Sequence, residues 1–381
     1  MPSHTRRTLS TELPDFPWDS LAGAKTTASA HPDGIIDLSV GTPVDEVAPS
    51  IQLALAENAA APGYPQTVGT PELREAIVSA VARRFGVTGV GQDAVLPVVG
   101  TKEAIAWLPF LLGVLPGQTV VIPELAYPTY EVGARLAGAT VLRSDSLLAL
   151  GPESPTLIFI NSPANPHGKV LGVEHLRKVV EFARERDVVV VSDECYLGLG
   201  WGTDGADGAD GAPVSILDPR VCDGDHTNLI AVHSLSKTSN LASYRSGFLV
   251  GDRALIAELL SVRKNAGLMM PGPIQAASVA ALEDDGQEIL QKDRYRKRRE
   301  LLSAAVEAAG LRIDDSEGGL YLWATEGRPC RETVDRLAEL GILVAPGDFY
   351  GPSGAEHVRI GLTATDMQIV TAARRLAAGL G

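Results

Sequence analysis

The stretch VVVVSDE, residues 188–194, has the features of a strand buried at the centre of a sheet. Four consecutive valines make it apolar on both faces, which is typical of a parallel sheet covered by helices on each side. Asp193 stands where this strand ends, and a buried carboxylate is costly unless a positive group meets it. The stretch therefore predicts a parallel sheet and, beside Asp193, either a cationic ligand or a salt bridge to an arginine.

Apolar, β-rich segments alternate with amphipathic segments on both sides of this stretch, as expected for helices that flank a mostly parallel sheet. Residues 71–85 predict a helix with Thr70 as its N-cap and Pro71 as its first residue. The predicted strands of the sheet are 94–99, 119–122, 140–143, 157–160, 188–192, 229–233 and 248–250.

The pattern changes after residue 272. A long charged helix is predicted at 288–309, and a short α+β pattern with LYLWAT (320–325) and HVRIGL (357–362) follows it. The opening residues have no strand nearby to pair with, and we expect them to join this second unit. The prediction is an α/β protein with a seven-stranded, mostly parallel sheet, divided into an N-terminal arm that is part of the small domain (1–45), a large domain (46–275) and a small α+β domain (276–381).

Composition excludes several classes of protein. The 381 residues include 33 basic and 47 acidic side chains, and the net charge of −14 argues against a nucleic-acid or acidic-membrane partner. Three scattered cysteines offer neither a disulfide framework nor a metal motif. Without a secretory signal or a membrane-spanning apolar run, we expect a cytoplasmic protein. The repeat DGADGADGA (204–212) lacks calcium-loop spacing and predicts a surface loop.

Familiar catalytic motifs are absent from the sequence. It has no GxxxxGK[ST], HExxH or GxSxG, and no GxGxxG that opens a helix after a strand. These absences count against nucleotide hydrolysis, zinc proteolysis, the serine hydrolase elbow and Rossmann-type hydride transfer, and we expect no metal site.

Polar segments instead follow the predicted strands, at the edge where α/β sheets bind ligands. In VVGTKEAIAW (98–107), the N–H groups of Gly100, Thr101 and Lys102 at a helix start suit a phosphate. Tyr127 can stack on a planar ring, and the Asn165 amide can meet a ligand oxygen. The alternatives are a capped turn with no ligand at residues 98–107, a packing role in a loop for Tyr127, and ordinary turn chemistry for Asn165.

The segment HSLSKTSNLASYRSGF (233–248) places Lys237 just after a strand, among small hydroxyl residues. A lysine amine becomes a nucleophile when burial or a nearby cation lowers its pKa. Ser234, Ser236 and Arg245 suit a phosphate beside it. A lysine that extends to the surface is the alternative.

Together these groups describe one ligand. Asp193 can pair with a protonated ring nitrogen, and Tyr196 can reach a neighbouring phenolic oxygen. With a phosphate site, a stacking tyrosine, an amide and an activated lysine, they predict pyridoxal 5′-phosphate bound through Lys237.

The motifs GTKEA, AYPTY, NSPANPHGK, SDECY and SLSK with a following YR, in this order, resemble the fold-type I aminotransferases of classes I and II. More narrowly, PDFPWDSLAGAK, HPDGIIDLSVGTPVDEVAP, APGYPQTVGTPELR and PGDFYG resemble the actinobacterial N-succinyldiaminopimelate aminotransferases. The resemblance implies a homodimer that moves an amino group from glutamate to a keto acid. The implied acceptor is N-succinyl-2-amino-6-oxopimelate, in lysine and diaminopimelate biosynthesis.

The resemblance also implies residue roles. Lys237 would bind the cofactor and move a proton between substrate and cofactor, while Asp193 would keep the ring nitrogen protonated and Tyr127 would stack on the ring. Arg359, Gly41 and Asn165 would bind the substrate. Further cofactor contacts would come from Gly100, Thr101, Lys102, Asn165, Tyr196, Ser234, Ser236, Arg245 and, from the neighbouring subunit, Tyr64.

Some positions depart from the family pattern, namely Ser243, Ser246 and His167. The interval between Asp193 and Lys237 is also long, which a loop insertion at the DGA repeat would explain. Because fold does not determine reaction type, another pyridoxal enzyme, such as a different aminotransferase or a C–S β-lyase, stays open. A non-catalytic ligand sensor is disfavoured because no basic helix pair precedes the first motif.

Overall fold

The structure, a computed structural model, describes residues 8–151, 154–202 and 212–379. The predicted surface loop at the DGA repeat lies outside these residues, apart from Ala212. The strands are β1 (Ile36–Asp37), β2 (Val95–Val99), β3 (Thr119–Ile122), β4 (Thr140–Arg143), β5 (Leu157–Asn161), β6 (Val189–Asp193), β7 (Leu229–Ser234), β8 (Ser246–Gly251), β9 (Arg312–Asp314), β10 (Tyr321–Thr325), β11 (Ile342–Leu343), β12 (Ala345–Pro346) and β13 (His357–Gly361). The α-helices are α1 (Ala22–Ser29), α2 (Pro49–Glu57), α3 (Pro71–Phe85), α4 (Thr101–Leu111), α5 (Thr129–Leu136), α6 (Val173–Arg186), α7 (Pro219–Cys222), α8 (Leu235–Thr238), α9 (Arg253–Ala266), α10 (Gly272–Glu283), α11 (Asp285–Ala308), α12 (Cys330–Glu339) and α13 (Asp366–Gly379).

The main sheet has seven strands in the order β2-β8-β7-β6-β5-β3-β4. Strand β8 runs antiparallel to β2 and β7, and the other neighbours are parallel. Along β6, Val190 packs into the hydrophobic core on one face of the sheet and Val191 into the core on the other. The predicted seven-stranded, mostly parallel sheet is therefore confirmed.

Helix α3 shows how local sequence sets an element beside this sheet. The Thr70 hydroxyl accepts a hydrogen bond from the Leu73 N–H at 3.2 Å, and Pro71 is the first helical residue. Gly86 ends the helix with a φ of 68°, a left-handed conformation that favours glycine. Leu73 and Ile77 then lie buried against the sheet core.

The second unit is built on a four-stranded sheet in the order β12-β13-β10-β9, with antiparallel neighbours. Strand β1 pairs in parallel with β11, with Ile36 opposite Ile342. Leu21 and Leu38 share a hydrophobic core with Leu302 of α11. The opening residues therefore pack with the second unit, while the predicted domain limits near residues 45 and 275 stay a prediction. In the described part of the chain, no helix has both the length and the apolar character needed to cross a membrane.

Candidate active site

Three central strands deliver polar groups to one edge of the main sheet. Asn161 ends β5, Asp193 ends β6 directly beside it, and Ser234 ends β7. A cavity of about 670 Å³ lies at this edge. Arg359 of β13 and Tyr321 of β10 line its other side, so both units contribute to it.

Most of the predicted site residues meet in this cavity. Gly100 does not line it; its φ of 76° favours glycine, and a Cβ there would overlap the Arg245 guanidinium as it is placed. Tyr64 is 96% exposed and does not line the cavity. The predicted residues that line it are Gly41, Thr101, Lys102, Tyr127, Asn165, Asp193, Tyr196, Ser234, Ser236, Lys237, Arg245 and Arg359.

Asp193 is buried and hydrogen-bonded, and no counter-ion pairs with it in the part of the chain that the structure describes. Its Oδ2 accepts from the Tyr130 hydroxyl at 2.7 Å, and its Oδ1 accepts from the Cys195 N–H at 3.1 Å. Burial raises the pKa of the carboxyl, against the opposing effect of these hydrogen bonds. The salt bridge to an arginine that the sequence left open is not observed among the residues that the structure describes.

Lys237 points into the same cavity from the short helix α8. Its Nζ donates a hydrogen bond to the Gly41 carbonyl oxygen. Burial lowers the pKa of the amine, and the positive charges of Arg359 and Arg245 lower it further. This environment is that of an activated amine, and the surface-lysine alternative does not fit it.

Two cations meet at the start of helix α4. Lys102 and Arg245 both line the cavity there, and burial, followed by the charge of Arg245, lowers the pKa of Lys102. No side chain caps the helix at Gly100. The predicted use of the Gly100 N–H for a phosphate is wrong, because that group donates to the Val98 carbonyl oxygen at 2.9 Å. Nearby, the Ser234 hydroxyl accepts from the Ser236 N–H at 3.1 Å. Two like charges held together beside free N–H groups form a site for an anion.

Arg359 is held rigidly on the opposite side. Its guanidinium donates to the Asn165 side-chain oxygen at 2.8 Å and to the Ser39 carbonyl oxygen at 2.7 Å. The Tyr321 ring lies 3.8 Å from the guanidinium carbon, so the cation is also stacked on an aromatic face. Within residues 8–151, 154–202 and 212–379, no carboxylate pairs with Arg359.

These unpaired charges fit pyridoxal phosphate and an amino-acid substrate. A carboxylate without a counter-ion suits a protonated ring nitrogen, and a low-pKa lysine suits an aldehyde. The pair of cations suits a phosphate, and the remaining arginine suits a substrate carboxylate.

The sequence did not single out several residues of the site. Tyr321 lies in LYLWAT, whose pattern predicts only secondary structure, while Tyr130 and Cys195 stand in the quoted motifs AYPTY and SDECY without a predicted role. Phe16 and Trp18 stand in the quoted PDFPWDS, yet no role was predicted for them; both line the cavity beside or within a short 3₁₀ helix, Pro17–Leu21.

Comparison with known proteins identifies the class. The model of the class I and II aminotransferase family matches residues 33–376, and the chain belongs to this family. Since the family depends on pyridoxal phosphate, the protein is a pyridoxal-phosphate-dependent aminotransferase, as predicted. This finding confirms the predicted cofactor and the fold-type I architecture.

Two curated proteins and one solved structure show which aminotransferases the chain is similar to. The chain is 63% identical to a probable aminotransferase of Mycobacterium tuberculosis, over 97% of this chain and 86% of that protein. It is 56% identical to a 4-dedimethylamino-4-oxo-anhydrotetracycline transaminase of Streptomyces rimosus, over 96% and 99%. The structure of a probable N-succinyldiaminopimelate aminotransferase of Thermus thermophilus superposes with a TM-score of 0.84 at 26% identity, over 96% and 100%.

Proposed function

We propose that this aminotransferase moves an amino group from glutamate to N-succinyl-2-amino-6-oxopimelate. One observation carries the proposal: in a chain of net charge −14, most of the charged residues that line the cavity are basic, namely Lys102, Lys237, Arg245 and Arg359. A concave site with an excess of one charge concentrates ligands of the opposite charge. Such a site suits a phosphate-bearing cofactor at Lys102 and Arg245 and leaves Arg359 for a substrate carboxylate. The likeness to the probable N-succinyldiaminopimelate aminotransferase supports the choice of acceptor.

Pyridoxal phosphate, when bound, supplies an aldehyde that carries the amino group and a ring that accepts the electrons released at the substrate carbon. We place its ring nitrogen beside Asp193, because that carboxylate lacks a basic partner in the described residues. Lys237 would bind the aldehyde carbon, and Tyr127 would stack on the ring.

The phosphate would bind at the start of helix α4, between Lys102 and Arg245. Free N–H groups at that end of the helix would complete its hydrogen bonds. We assign the phosphate contacts to Thr101, Lys102, Ser234, Ser236 and Arg245, and the contacts with the phenolic oxygen to Asn165 and Tyr196. Gly100 only leaves room for Arg245, because its N–H donates to the Val98 carbonyl oxygen.

Proton transfer at the substrate Cα would fall to Lys237. Its lowered pKa increases the neutral fraction of the amine near neutral pH, and a neutral amine can accept the proton. Arg359 would bind the α-carboxylate through two hydrogen bonds, with Gly41 and Asn165 beside it, and so fix the direction of the Cα–H bond.

Tyr64 enters the proposal through a second subunit. Because its side chain is almost fully exposed and outside this cavity, we propose that it reaches the phosphate bound by another copy of the chain in a homodimer. A cytoplasmic location likewise stays a prediction from the sequence.

A second acceptor class has its own support. Phe16 and Trp18 form an aromatic wall at the cavity, with ring centroids 5.6 Å apart. Such a wall favours a planar, apolar acceptor, and the Streptomyces rimosus relative is named for an anhydrotetracycline substrate. A polycyclic ketone is therefore the alternative acceptor.

A steady-state comparison of acceptors tests the proposal. With glutamate as donor, we expect kcat/KM to be at least ~10-fold higher for N-succinyl-2-amino-6-oxopimelate than for oxaloacetate, about the effect of one well-placed interaction. Preference for a 4-oxo-anhydrotetracycline would overturn the acceptor and favour the alternative. Absence of amino transfer from glutamate to any acceptor would overturn the donor as well.

A further inference from the structure

Tyr321 lies at the centre of the cavity although no sequence motif pointed to it. Its side chain is buried, and its hydroxyl lies 3.2 Å from the Tyr196 hydroxyl. A Cβ at residue 41 would overlap the Tyr321 hydroxyl, so glycine at that position leaves room for it. Tyr321 is therefore packed between Gly41, Tyr196 and Arg359.

The neighbours of Tyr321 distinguish it from the other tyrosines of the site. Its ring lies against Arg359, with 3.8 Å between the guanidinium carbon and the ring centroid. The Tyr350 ring also faces Arg359, at 5.0 Å, but its buried hydroxyl has no hydrogen-bond partner among the described residues. Of these two rings, only that of Tyr321 connects the substrate-binding arginine to a residue on the cofactor side.

We propose that Tyr321 is a positioning residue for the reaction: its hydroxyl orients the Tyr196 hydroxyl toward the cofactor, while its ring holds Arg359 in place. The inference rests on the proposed role of Tyr196 at the phenolic oxygen. When Tyr321 donates its proton to the Tyr196 oxygen, the Tyr196 proton is free to point into the cavity. When Tyr321 is ionised, Tyr196 must donate to it instead.

At pH values below the pKa of Tyr321, the surrounding charges favour donation from Tyr321 to Tyr196. A lowered pKa makes Tyr321 the stronger donor of the two phenols, because burial raises the pKa of Tyr196. Burial raises the pKa of its phenol, but the positive charges of Arg359 and Lys237 outweigh burial and bring the pKa below its ordinary value. Burial raises the pKa of Tyr127 to about 12 and also raises that of Tyr350. The ionisable groups that face Tyr321 are Lys237, Arg359, Cys195, Tyr127, Tyr196, Tyr295 and Tyr350.

A titration of the apoprotein tests the electrostatic part without any cofactor. In protein labelled with ¹³C at the tyrosine ζ carbon, the resonance lost in Tyr321→Phe should titrate below the ordinary tyrosine pKa of about 10. The resonances lost in Tyr127→Phe and Tyr350→Phe should titrate above it. A Tyr321 resonance that titrates at or above the ordinary value would overturn the inference.

The holoenzyme tests the positioning part. Because phenylalanine keeps the ring under Arg359 but not the hydroxyl, Tyr321→Phe should lower kcat about 3- to 10-fold, the effect of one hydrogen bond, and leave KM for glutamate unchanged. When the visible absorbance of the bound cofactor is followed against pH, its alkaline limb should also move to higher pH in Tyr321→Phe. Tyr350→Phe, the matched control, should leave that limb unmoved.

These experiments distinguish failure of the positioning role of Tyr321 from failure of the proposed function. Equal spectral shifts in Tyr321→Phe and Tyr350→Phe, or a change in KM alone, would contradict the positioning role while amino transfer continued. If Tyr321→Phe does not fold, Tyr196→Phe tests the same bond from its other end and should change the Tyr321 titration in the apoprotein. An unchanged titration would contradict the inference, whereas loss of amino transfer in the unmodified protein would count against the proposed function alone.

Discussion

Two adjacent, buried carboxyl groups lie on opposite sides of the sheet edge and differ in the groups that surround them. Asp193 and Glu194 are 5% and 2% exposed. Asp193 faces the cavity, while Glu194 faces the core behind it, where its Oε1 accepts from the Ser192 hydroxyl and the Ile216 N–H at 2.9 and 2.8 Å. Burial raises the pKa of Glu194 to about 7.

Behind the sheet edge, the two ionisable groups Glu194 and His233 lose their charges without any ligand. His233, whose Nε2 lies 3.5 Å from Glu194 Oε2, is stacked between Phe85 and Phe248, and burial lowers its pKa to about 3. Both members of this pair are therefore neutral between about pH 3 and pH 7. The cavity side instead holds Asp193, Lys237 and Arg359 without ion pairs in the described residues, as the proposed function expects of groups whose partners are ligands. Behind the sheet edge, the buried ionisable groups are therefore neutral within the chain, whereas the groups in front of it keep charges that a ligand can meet.

The largest effect is expected from removing charge on the cavity side. Asp193→Asn keeps the size of the side chain but cannot stabilise a protonated ring nitrogen. We expect kcat/KM to fall at least ~100-fold, the size of loss found when one electrostatic stabiliser is removed. Steady-state kinetics with far-ultraviolet circular dichroism, and Glu194→Gln as the neighbouring control, check this. Near-normal activity in Asp193→Asn would contradict the division between the two regions.

Arg359→Lys tests the same region with its charge retained. Lysine cannot bind a carboxylate through two parallel hydrogen bonds or stack on Tyr321 in the same way. We expect KM for glutamate to rise about 30-fold, the low end of the loss for a buried charge pair, with a smaller change in kcat. Measuring kcat and KM separately checks this. An unchanged KM would show that the substrate carboxylate binds elsewhere.

The smallest catalytic effect is expected behind the sheet edge, where Glu194→Gln should change the pH dependence of stability instead. The raised pKa makes native Glu194 keep a proton that the unfolded chain loses above its ordinary pKa of 4.5, so this group costs stability as pH rises from about 4.5 to 7. Glutamine does not titrate. The variant should therefore gain up to about 3 kcal/mol relative to the parent across this range.

Urea denaturation of both proteins at several pH values measures this difference, and kcat/KM should stay within about 3-fold of the parent because the amide can keep the same hydrogen bonds. Because the pKa of His233 is about 3, its native form does not titrate between pH 4.5 and 7. Glu57→Gln, at an exposed position, is the control for the substitution itself. Parallel stability profiles for Glu194→Gln and the parent would show that Glu194 is ionised in the native state.

The sequence predicts the main sheet well because its strands are apolar on both faces and end at turn residues. The predicted strand at 119–122 is β3, and the predicted helix at 71–85 is α3, with the expected cap at Thr70. The polar groups at the strand ends could be predicted for the same reason, since parallel strands place their carboxyl ends at one edge.

The position of Tyr321 could not be predicted. In LYLWAT it belongs to an apolar strand pattern, and nothing local indicates that its hydroxyl faces a cavity. That placement depends on the pairing of β10 with β13, which sets Trp323 opposite Arg359, and on how the small sheet packs against the main one. Phe16 and Trp18 likewise line the cavity because the short helix around residue 17 packs on the second unit. No periodic pattern in the sequence predicts this contact.

Chemical mapping of the cofactor attachment tests the central claim most directly. Holoenzyme reduced with borohydride, digested and analysed by mass spectrometry should carry the pyridoxyl phosphate mass on the peptide that contains Lys237 and on no other lysine. Lys237→Ala should lack the visible absorbance band of the lysine-linked cofactor under the same loading conditions. A tag on Lys102, which also lines the cavity, or no tag on a coloured protein, would contradict the account.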